Sequence, residues 1–217
     1  TKEMLRRGIG ATRRVHATAG NHNNLIGLPL TVLSTPEDTE VLVLELGMNH
    51  AGEITRLTSV ACPTVAVITN VGTSHIGLLG SRENIARAKA EIVSGMRAFD
   101  SIEPTLIQAS AGDYTKFIAD EFARPAHVVC KTVGATEADV MSAQQVTLDE
   151  EGLPTATIVA ASGWSRTVTL EVPGRVVVDD LLLALEAIET LGLDLDAAAE
   201  AIEQMPATRM RLSVLDA

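Results

Sequence analysis

Two short, unbroken apolar runs constrain the fold of this chain more than any other feature. Val41–Leu46 reads Val-Leu-Val-Leu-Glu-Leu, and Val65–Thr69 reads Val-Ala-Val-Ile-Thr. Runs of this length without polar alternation are typical of strands that are buried on both faces of a parallel sheet. Gly47 follows the first run and Asn70 follows the second, so each strand is predicted to lead into a loop.

Helical and extended segments alternate around these two strands. The pattern predicts helices over residues 1–9, Ile54–Val60 and Tyr114–Phe122, and a longer helix from an N-cap at Ser81 to Met96. Residues 15–33 are predicted to hold a loop rich in Asn and Gly, followed by an apolar run. Further strands are predicted at Thr105–Ala109 and Val128–Cys130.

The pattern changes in the last third of the chain. Residues 140–173 alternate between apolar and polar side chains, with turn signals at Glu151-Gly152 and Ser162-Gly163, which indicates an antiparallel meander. Two Ala/Leu-rich helices are predicted to follow, at Val178–Leu191 and Asp196–Met205. The predicted fold class is therefore α/β, with a mostly parallel sheet flanked by helices and a small antiparallel insert.

Composition narrows the functional classes. The chain has 217 residues, a formal net charge of −11 and only 2% aromatic residues, so its core must be aliphatic. The acidic balance argues against a nucleic-acid partner, and no apolar run is long enough to enter a membrane. Cys62 and Cys130 cannot build a disulfide framework, which favours a cytoplasmic protein, and both are predicted to be inert core residues.

Polar side chains follow both buried runs and are candidates for chemistry. Glu45, Asn49 and His50 lie at or just after the end of the first run, and His75 follows the second. The carboxyl ends of parallel strands are where open α/β sheets bind ligands, and a carboxylate there often holds Mg²⁺. A strand-end glutamate paired with a surface cation, and a plain surface histidine, are the alternatives.

Three further groups stand out. Lys89 lies between alanines on a predicted helix, Asn23 and Asn24 lie in an amide-rich loop, and Arg209 and Arg211 alternate near the last residue. Each has a simpler interpretation. Lys89 could be an ordinary solvated lysine, the asparagines could belong to a plain loop, and the arginines could lie on the solvent face of a strand. The sequence contains neither a G-x-x-x-x-G-K-[ST] phosphate loop nor a G-x-S-x-G elbow.

Five segments in order resemble the Mur ligase family, densely through residues 18–96 and sparsely through 100–170. They are Thr18–Pro29 with its Asn-rich loop, Glu45–Ile54, Thr69–Gly77, Ala88–Ile92 and Thr208–Leu212. The resemblance implies ATP-dependent amide formation through an acyl phosphate. The expected substrates are UDP-N-acetylmuramoyl-tripeptide and D-alanyl-D-alanine.

The resemblance also implies residue roles. Glu45, His75 and Lys89 match the family's Mg²⁺ ligands and catalytic groups, with Lys89 carrying a carbamate. Asn23, Asn24, Asn49 and His50 are expected to bind substrate, and Arg209, Arg211, Asp113 and Asp180 to bind the nucleotide. Asp180 and Val176 stand where relatives often have Asn and His, and residues 108–113 depart from a frequent Asn-Ala-Asp-Asp.

The domain organisation follows from the same resemblance. Residues 1–217 are expected to be the central ATP-binding domain, incomplete at its N-terminus and without the N-terminal UDP-sugar and C-terminal domains, with 140–173 as an antiparallel subregion. The isolated chain is expected to be inactive and to self-associate, and its parent to be monomeric. Another Mur-type or folylpolyglutamate-type ligase, or a non-catalytic domain that has lost its phosphate loop, are the alternatives.

Overall fold

The computed structural model describes residues 1–136 and 138–206, which form eight strands and eight α-helices. The strands are β1 (Val15–Ala17), β2 (Val41–Val43), β3 (Val65–Ile68), β4 (Thr105–Ala109), β5 (Val129–Gly134), β6 (Met141–Leu148), β7 (Pro154–Ala160) and β8 (Ser165–Thr169). The helices are α1 (Lys2–Gly10), α2 (Gly27–Leu33), α3 (Glu53–Ala61), α4 (Ile76–Leu79), α5 (Arg82–Ala90), α6 (Thr115–Ile118), α7 (Val176–Thr190) and α8 (Leu195–Glu203).

The strands form two sheets with mainly parallel pairing. β1 and β2 pair in parallel, and the second sheet has the order β3-β4-β5-β6-β7-β8. Its first four strands are parallel, whereas β6, β7 and β8 pair antiparallel. The predicted α/β class is confirmed, and the antiparallel meander extends the parallel sheet instead of forming a sheet of its own.

Helices cover both faces of the parallel strands. Leu106 and Ile107 are consecutive in β4, both fully buried, and they point to opposite faces because side chains alternate along a strand. Ile107 packs in the core made with α1, α7 and α8. Leu106 packs in the core made with α5 and α6, while α2, α3 and α5 enclose a third apolar cluster. Among the described helices, none combines the length and the apolar character that crossing a membrane requires.

One buried ion pair ties α7 to the parallel sheet. The Lys131 Nζ on β5 donates to Glu186 Oε1 at 2.8 Å and to Thr190 Oγ1 at 3.0 Å. Glu186 is only 1% exposed, and this burial raises the pKa of its carboxyl group, an effect that Lys131 partly offsets. Gly192 then ends the helix region with φ of +68°, a conformation that glycine adopts without steric cost.

Several local predictions differ from the structure. The sequence predicts a loop where β1 lies, because three residues flanked by polar side chains carry almost no strand signal. β2 ends at Val43 and is only half-buried, since it belongs to a two-stranded sheet. The helix predicted to run from Ser81 to Met96 is shorter in the structure. It ends at Ala90, and a 3₁₀ turn follows over Glu91–Gly95. The prediction that Cys62 and Cys130 are core residues is wrong, because both are exposed.

Strand edges without partners predict self-association of this 217-residue chain. Within the described residues, β2 and β3 each pair with one strand only, and unpaired parallel edges are templates for pairing with another chain. We expect the sedimentation-equilibrium mass and the thermal midpoint both to rise with protein concentration. A monomer with a sharp melting transition that does not depend on concentration would contradict this expectation.

Candidate functional site

A cavity of about 150 Å³ lies where the segments after β2 and β3 meet α5. His75 and Lys89 both line it, so two of the residues singled out in the sequence are brought together. The rest of the lining combines the segment after Glu45 with polar and apolar neighbours: Leu46, Gly47, Met48, Ile54, Asn70, Gly72, Ser74 and Ile85. The segments that follow two strands of different sheets, β2 and β3, thus converge on one site.

His75 lies at the exposed end of this cavity. Its backbone is left-handed, with φ of +67°, and its carbonyl oxygen accepts hydrogen bonds from Leu78 and Leu79, which begins α4. A left-handed conformation costs a non-glycine residue about 1 kcal/mol or more. This backbone geometry holds the imidazole in the loop at the end of β3 and leaves it accessible to a ligand.

Lys89 is a partly buried amine. It lies between the buried residues Ala88 and Ala90 at the end of α5. Among residues 1–136 and 138–206, its ammonium has neither a hydrogen-bond partner nor an ion-pair partner. Burial without a charged partner lowers the pKa of Lys89. The neutral, nucleophilic amine is therefore available at a lower pH than in an exposed lysine.

Glu45 is held by hydrogen bonds at the carboxyl end of β2. Asn23 Nδ2 donates to Glu45 Oε1 at 2.8 Å, and the backbone N–H of Glu45 donates to Thr18 Oγ1 at 2.9 Å. The ammonium of Lys2 is 3.6 Å from Glu45 Oε2 and donates to the carbonyl oxygens of Thr18 and Gly20. The carboxylate is fixed in orientation and only partly exposed.

Gly47 lets the Asn-rich loop approach the end of β2. Its N–H donates to the carbonyl oxygen of Asn23 at 2.7 Å. A Cβ at position 47 would lie 2.7 Å from Asn23 Cγ, closer than real Cβ atoms come to a neighbour. Any larger residue would push Asn23 away from Glu45, so the glycine is required for this contact.

The other predicted substrate residues have mainly exposed side chains. Asn24 Oδ1 accepts hydrogen bonds from the N–H groups of Ile26 and Gly27 and so caps the start of α2. The N–H groups of Asn49 and His50 both donate to Glu53 Oε2, at 2.7 and 3.3 Å. These hydrogen bonds, the one from Asn49 first, lower the pKa of the Glu53 carboxyl group.

The predicted nucleotide residues are only partly described. Asp113 forms a 2.7 Å ion pair with Arg82, which also donates to the carbonyl oxygen of Val71 at the end of β3. Asp180 accepts a hydrogen bond from the hydroxyl group of Thr1, beside the start of α1. The predictions for Arg209 and Arg211 fall outside the described residues.

Sequence reasoning missed two cationic side chains near the ends of these strands, Lys2 and Arg82. Lys2 joins α1 to Glu45 and the Asn-rich loop, and Arg82 bridges the loops after β3 and β4. A charged residue on a helix is usually solvated, and its distant partners leave no local pattern in the sequence. Among the described residues, no three His, Cys, Asp or Glu side chains cluster as metal ligands.

Fold and site together define an α/β domain in which candidate ligand groups follow the carboxyl ends of strands that pair in parallel. A family profile described as Mur ligase middle domain matches residues 1–188, and the chain belongs to this family.

Sequence and structural relatives agree with this family. The chain is 38% identical over 217 residues, 99% of its length, to the UDP-N-acetylmuramoyl-tripeptide–D-alanyl-D-alanine ligase of Bacillus subtilis, and covers 44% of that protein. It superposes on MurF of Acinetobacter baumannii with a TM-score of 0.91 and 28% identity, covering all of this chain and 45% of that one. MurF ligase of Thermotoga maritima, solved in complex with ADP, matches with a TM-score of 0.77 and 26% identity, over 95% of this chain and 45% of that one. The chain thus spans less than half the length of these relatives.

The lowered pKa of Lys89 predicts a pH-dependent gain in stability when the charge is removed. The unfolded chain holds the lysine proton more tightly than the folded chain, so the ammonium lowers the free energy of unfolding at neutral pH. This penalty fades as the pH approaches the unfolded pKa of about 10.4. Lys89→Met should therefore raise the free energy of unfolding at pH 7 more than at pH 10.

Urea unfolding in metal-free, CO₂-depleted buffer measures this difference. Lys116→Met is the matched control, because the Lys116 side chain is 88% exposed and its change should have little effect at either pH. The prediction would be contradicted if Lys89→Met raised the free energy of unfolding at pH 7 by no more than it does at pH 10.

Proposed function

We propose that the protein containing this chain is a cytoplasmic, ATP-dependent ligase that joins D-alanyl-D-alanine to UDP-N-acetylmuramoyl-tripeptide. The observation that carries the proposal is the cavity shared by His75, Lys89 and the segment that follows Glu45. The 38% identity to the B. subtilis ligase along the whole chain supports this substrate pair.

We further propose that residues 1–217 act as the central nucleotide-binding domain of that ligase. The family match over residues 1–188 and the parallel sheet support this assignment. Residues 140–173 would be an antiparallel subregion of the same domain, in keeping with strands β6 to β8. Domains that recognise the rest of the substrates would lie elsewhere in the protein.

The proposed reaction has two displacement steps. An oxygen of the peptide carboxylate attacks the γ-phosphorus of ATP, which forms an acyl phosphate and releases ADP. The amine of D-alanyl-D-alanine then attacks the acyl carbon, phosphate leaves and the amine loses a proton. Several anionic oxygens must come together in the first step, so the site must supply positive charge and fixed orientation.

Residues at the cavity and beside it would fit a Mg²⁺ site once Lys89 is modified. Addition of CO₂ to the neutral amine forms a carbamate and releases one proton, which turns a poor ligand into an anionic oxygen ligand. The amine of Lys89, partly buried and without a partner among residues 1–136 and 138–206, favours this reaction. A carboxylate oxygen of Glu45 and an imidazole nitrogen of His75 would complete the protein ligands. Bound Mg²⁺ would neutralise the negative charge of the phosphates and the attacking carboxylate.

The remaining residues would orient these groups and bind substrates. Asn23 fixes the rotation of the Glu45 carboxylate through its 2.8 Å hydrogen bond. Four side chains would contact the muramoyl substrate or the dipeptide: the partly buried Asn23 and the exposed Asn24, Asn49 and His50. The nucleotide would be contacted by four charged residues: Asp113, Asp180, Arg209 and Arg211.

Loss of Lys89 should abolish this activity in the full-length protein. We expect Lys89→Ala to lower the rate of phosphate release at least about a hundredfold, because it removes a group that acts at the reacting centre. The assay measures phosphate from ATP, Mg²⁺, UDP-N-acetylmuramoyl-tripeptide and D-alanyl-D-alanine. Lys116→Ala, an exposed lysine on α6, is the matched control and should retain the wild-type rate.

The amino donor separates the alternatives. Phosphate release with glutamate or with another single amino acid as the donor, and not with the dipeptide, would assign the chain to a folylpolyglutamate-type or another Mur-type ligase. A folded full-length protein that releases no phosphate with any donor would indicate a non-catalytic domain. Wild-type rates in Lys89→Ala would contradict the role of Lys89 itself.

A further inference from the structure

We infer that Glu91 is a positioning residue that fastens the loop at 49–52 to the helix carrying Lys89. Its Oε1 accepts a hydrogen bond from the N–H of Gly52 at 2.7 Å, and its Oε2 accepts one from the N–H of Thr55 at 3.1 Å. Glu91 follows α5 directly, two residues after Lys89, whereas the two donors lie at the start of α3. One carboxylate therefore joins two walls of the cavity.

The start of α3 needs this distant carboxylate. The residue at the N-cap is Gly52, with φ of +84°, which has no side chain that could accept from the first N–H groups of the helix. Helix N-termini are stabilised by an acceptor and by negative charge, and the carboxylate of Glu91 supplies both from another element. Glu91 and Gly52 are 39 positions apart in the sequence, so this cap is a tertiary contact.

Further contacts turn the cap into a rigid clamp. Glu53 holds the other side of the loop through the N–H groups of Asn49 and His50. Thr58 on α3 donates to the carbonyl oxygen of Ile92 at 3.0 Å. The segments before and after the contact with Glu91 are thus tied as well, and the loop has little freedom to move relative to Lys89.

A carboxylate is the group that this geometry requires. Two N–H donors face two separate oxygens, so Gln at position 91 could accept only one of the two hydrogen bonds. Its amide –NH₂ would then face the other N–H group, donor against donor. Glu91→Gln keeps the size of the side chain, removes one charge and breaks the two-point contact.

The consequence for catalysis rests on the proposed function. The loop at 49–52 continues directly from Leu46–Met48, which lines the cavity with Lys89 and His75. Release of the clamp would let Asn49 and His50, the proposed substrate contacts, move relative to Lys89. A displacement of about 1 Å in a catalytic arrangement can lower a rate about a hundredfold.

Amide hydrogen exchange in the full-length protein tests the clamp itself. We expect Glu91→Gln to speed exchange at Gly52 and Thr55 by about five- to tenfold, the effect of losing a helix cap. Glu83→Gln is the matched control, since Glu83 lies on α5 and contacts only Arg87 among the described residues. Unchanged exchange at both amides in Glu91→Gln would overturn the inference, whatever the protein catalyses.

Steady-state kinetics test the link to the site. Glu91→Gln should lower kcat about ten- to a hundredfold and raise KM for the muramoyl substrate, while KM for ATP stays unchanged. A merely destabilised protein would lose active enzyme without changing either KM. Faster exchange with wild-type kcat and KM would overturn the positioning role and leave the ligase assignment intact. A wild-type protein without ligase activity would refute the proposed function, and the exchange experiment would still decide the clamp.

Discussion

Parallel pairing of the strands is the constraint on which the candidate site depends. In a parallel sheet every strand must return through a crossover, so successive strands end at the same edge. Parallel pairing of β1 with β2 brings the Asn-rich loop to Glu45. The segments that follow β2 and β3, which lie in different sheets, meet at one cavity together with the end of α5. The fold thus brings His75 and Lys89 to one cavity, and the segment that directly follows Glu45 lines the same cavity.

The charged side chains around the cavity differ in whether they have a partner of opposite charge. Glu45 is near Lys2 and bonded to Asn23, and Asp113 is paired with Arg82. Lys89, in contrast, is partly buried, has a lowered pKa and finds no partner among the residues that the structure describes. Burying an unpaired cation costs stability, and perturbed titratable groups in a cleft mark functional sites. This cost is the physical reason to propose a chemical role for Lys89.

Features encoded locally could be predicted from the sequence, and tertiary features could not. The apolar runs predicted β3 and β4 within a residue, and the alternating pattern predicted the meander, because burial fixes these patterns directly. β1 has only three residues and gave no such signal. The motif resemblance brought His75 and Lys89 into one site. The Glu91 contact with α3 spans 39 residues, so no local pattern could reveal it.

The position of a bound metal ion tests the central claim most directly. Crystals of the full-length protein, grown with Mn²⁺ in place of Mg²⁺, with bicarbonate and with a non-hydrolysable ATP analogue, would give an anomalous-scattering map. We expect an Mn²⁺ peak about 2.2 Å from a Glu45 oxygen or a His75 nitrogen. We also expect extra density for a carbamate on Lys89 Nζ, with one of its oxygens about 2.2 Å from the same peak. Ordered Mn²⁺ and nucleotide bound elsewhere, with an unmodified Lys89, would contradict it.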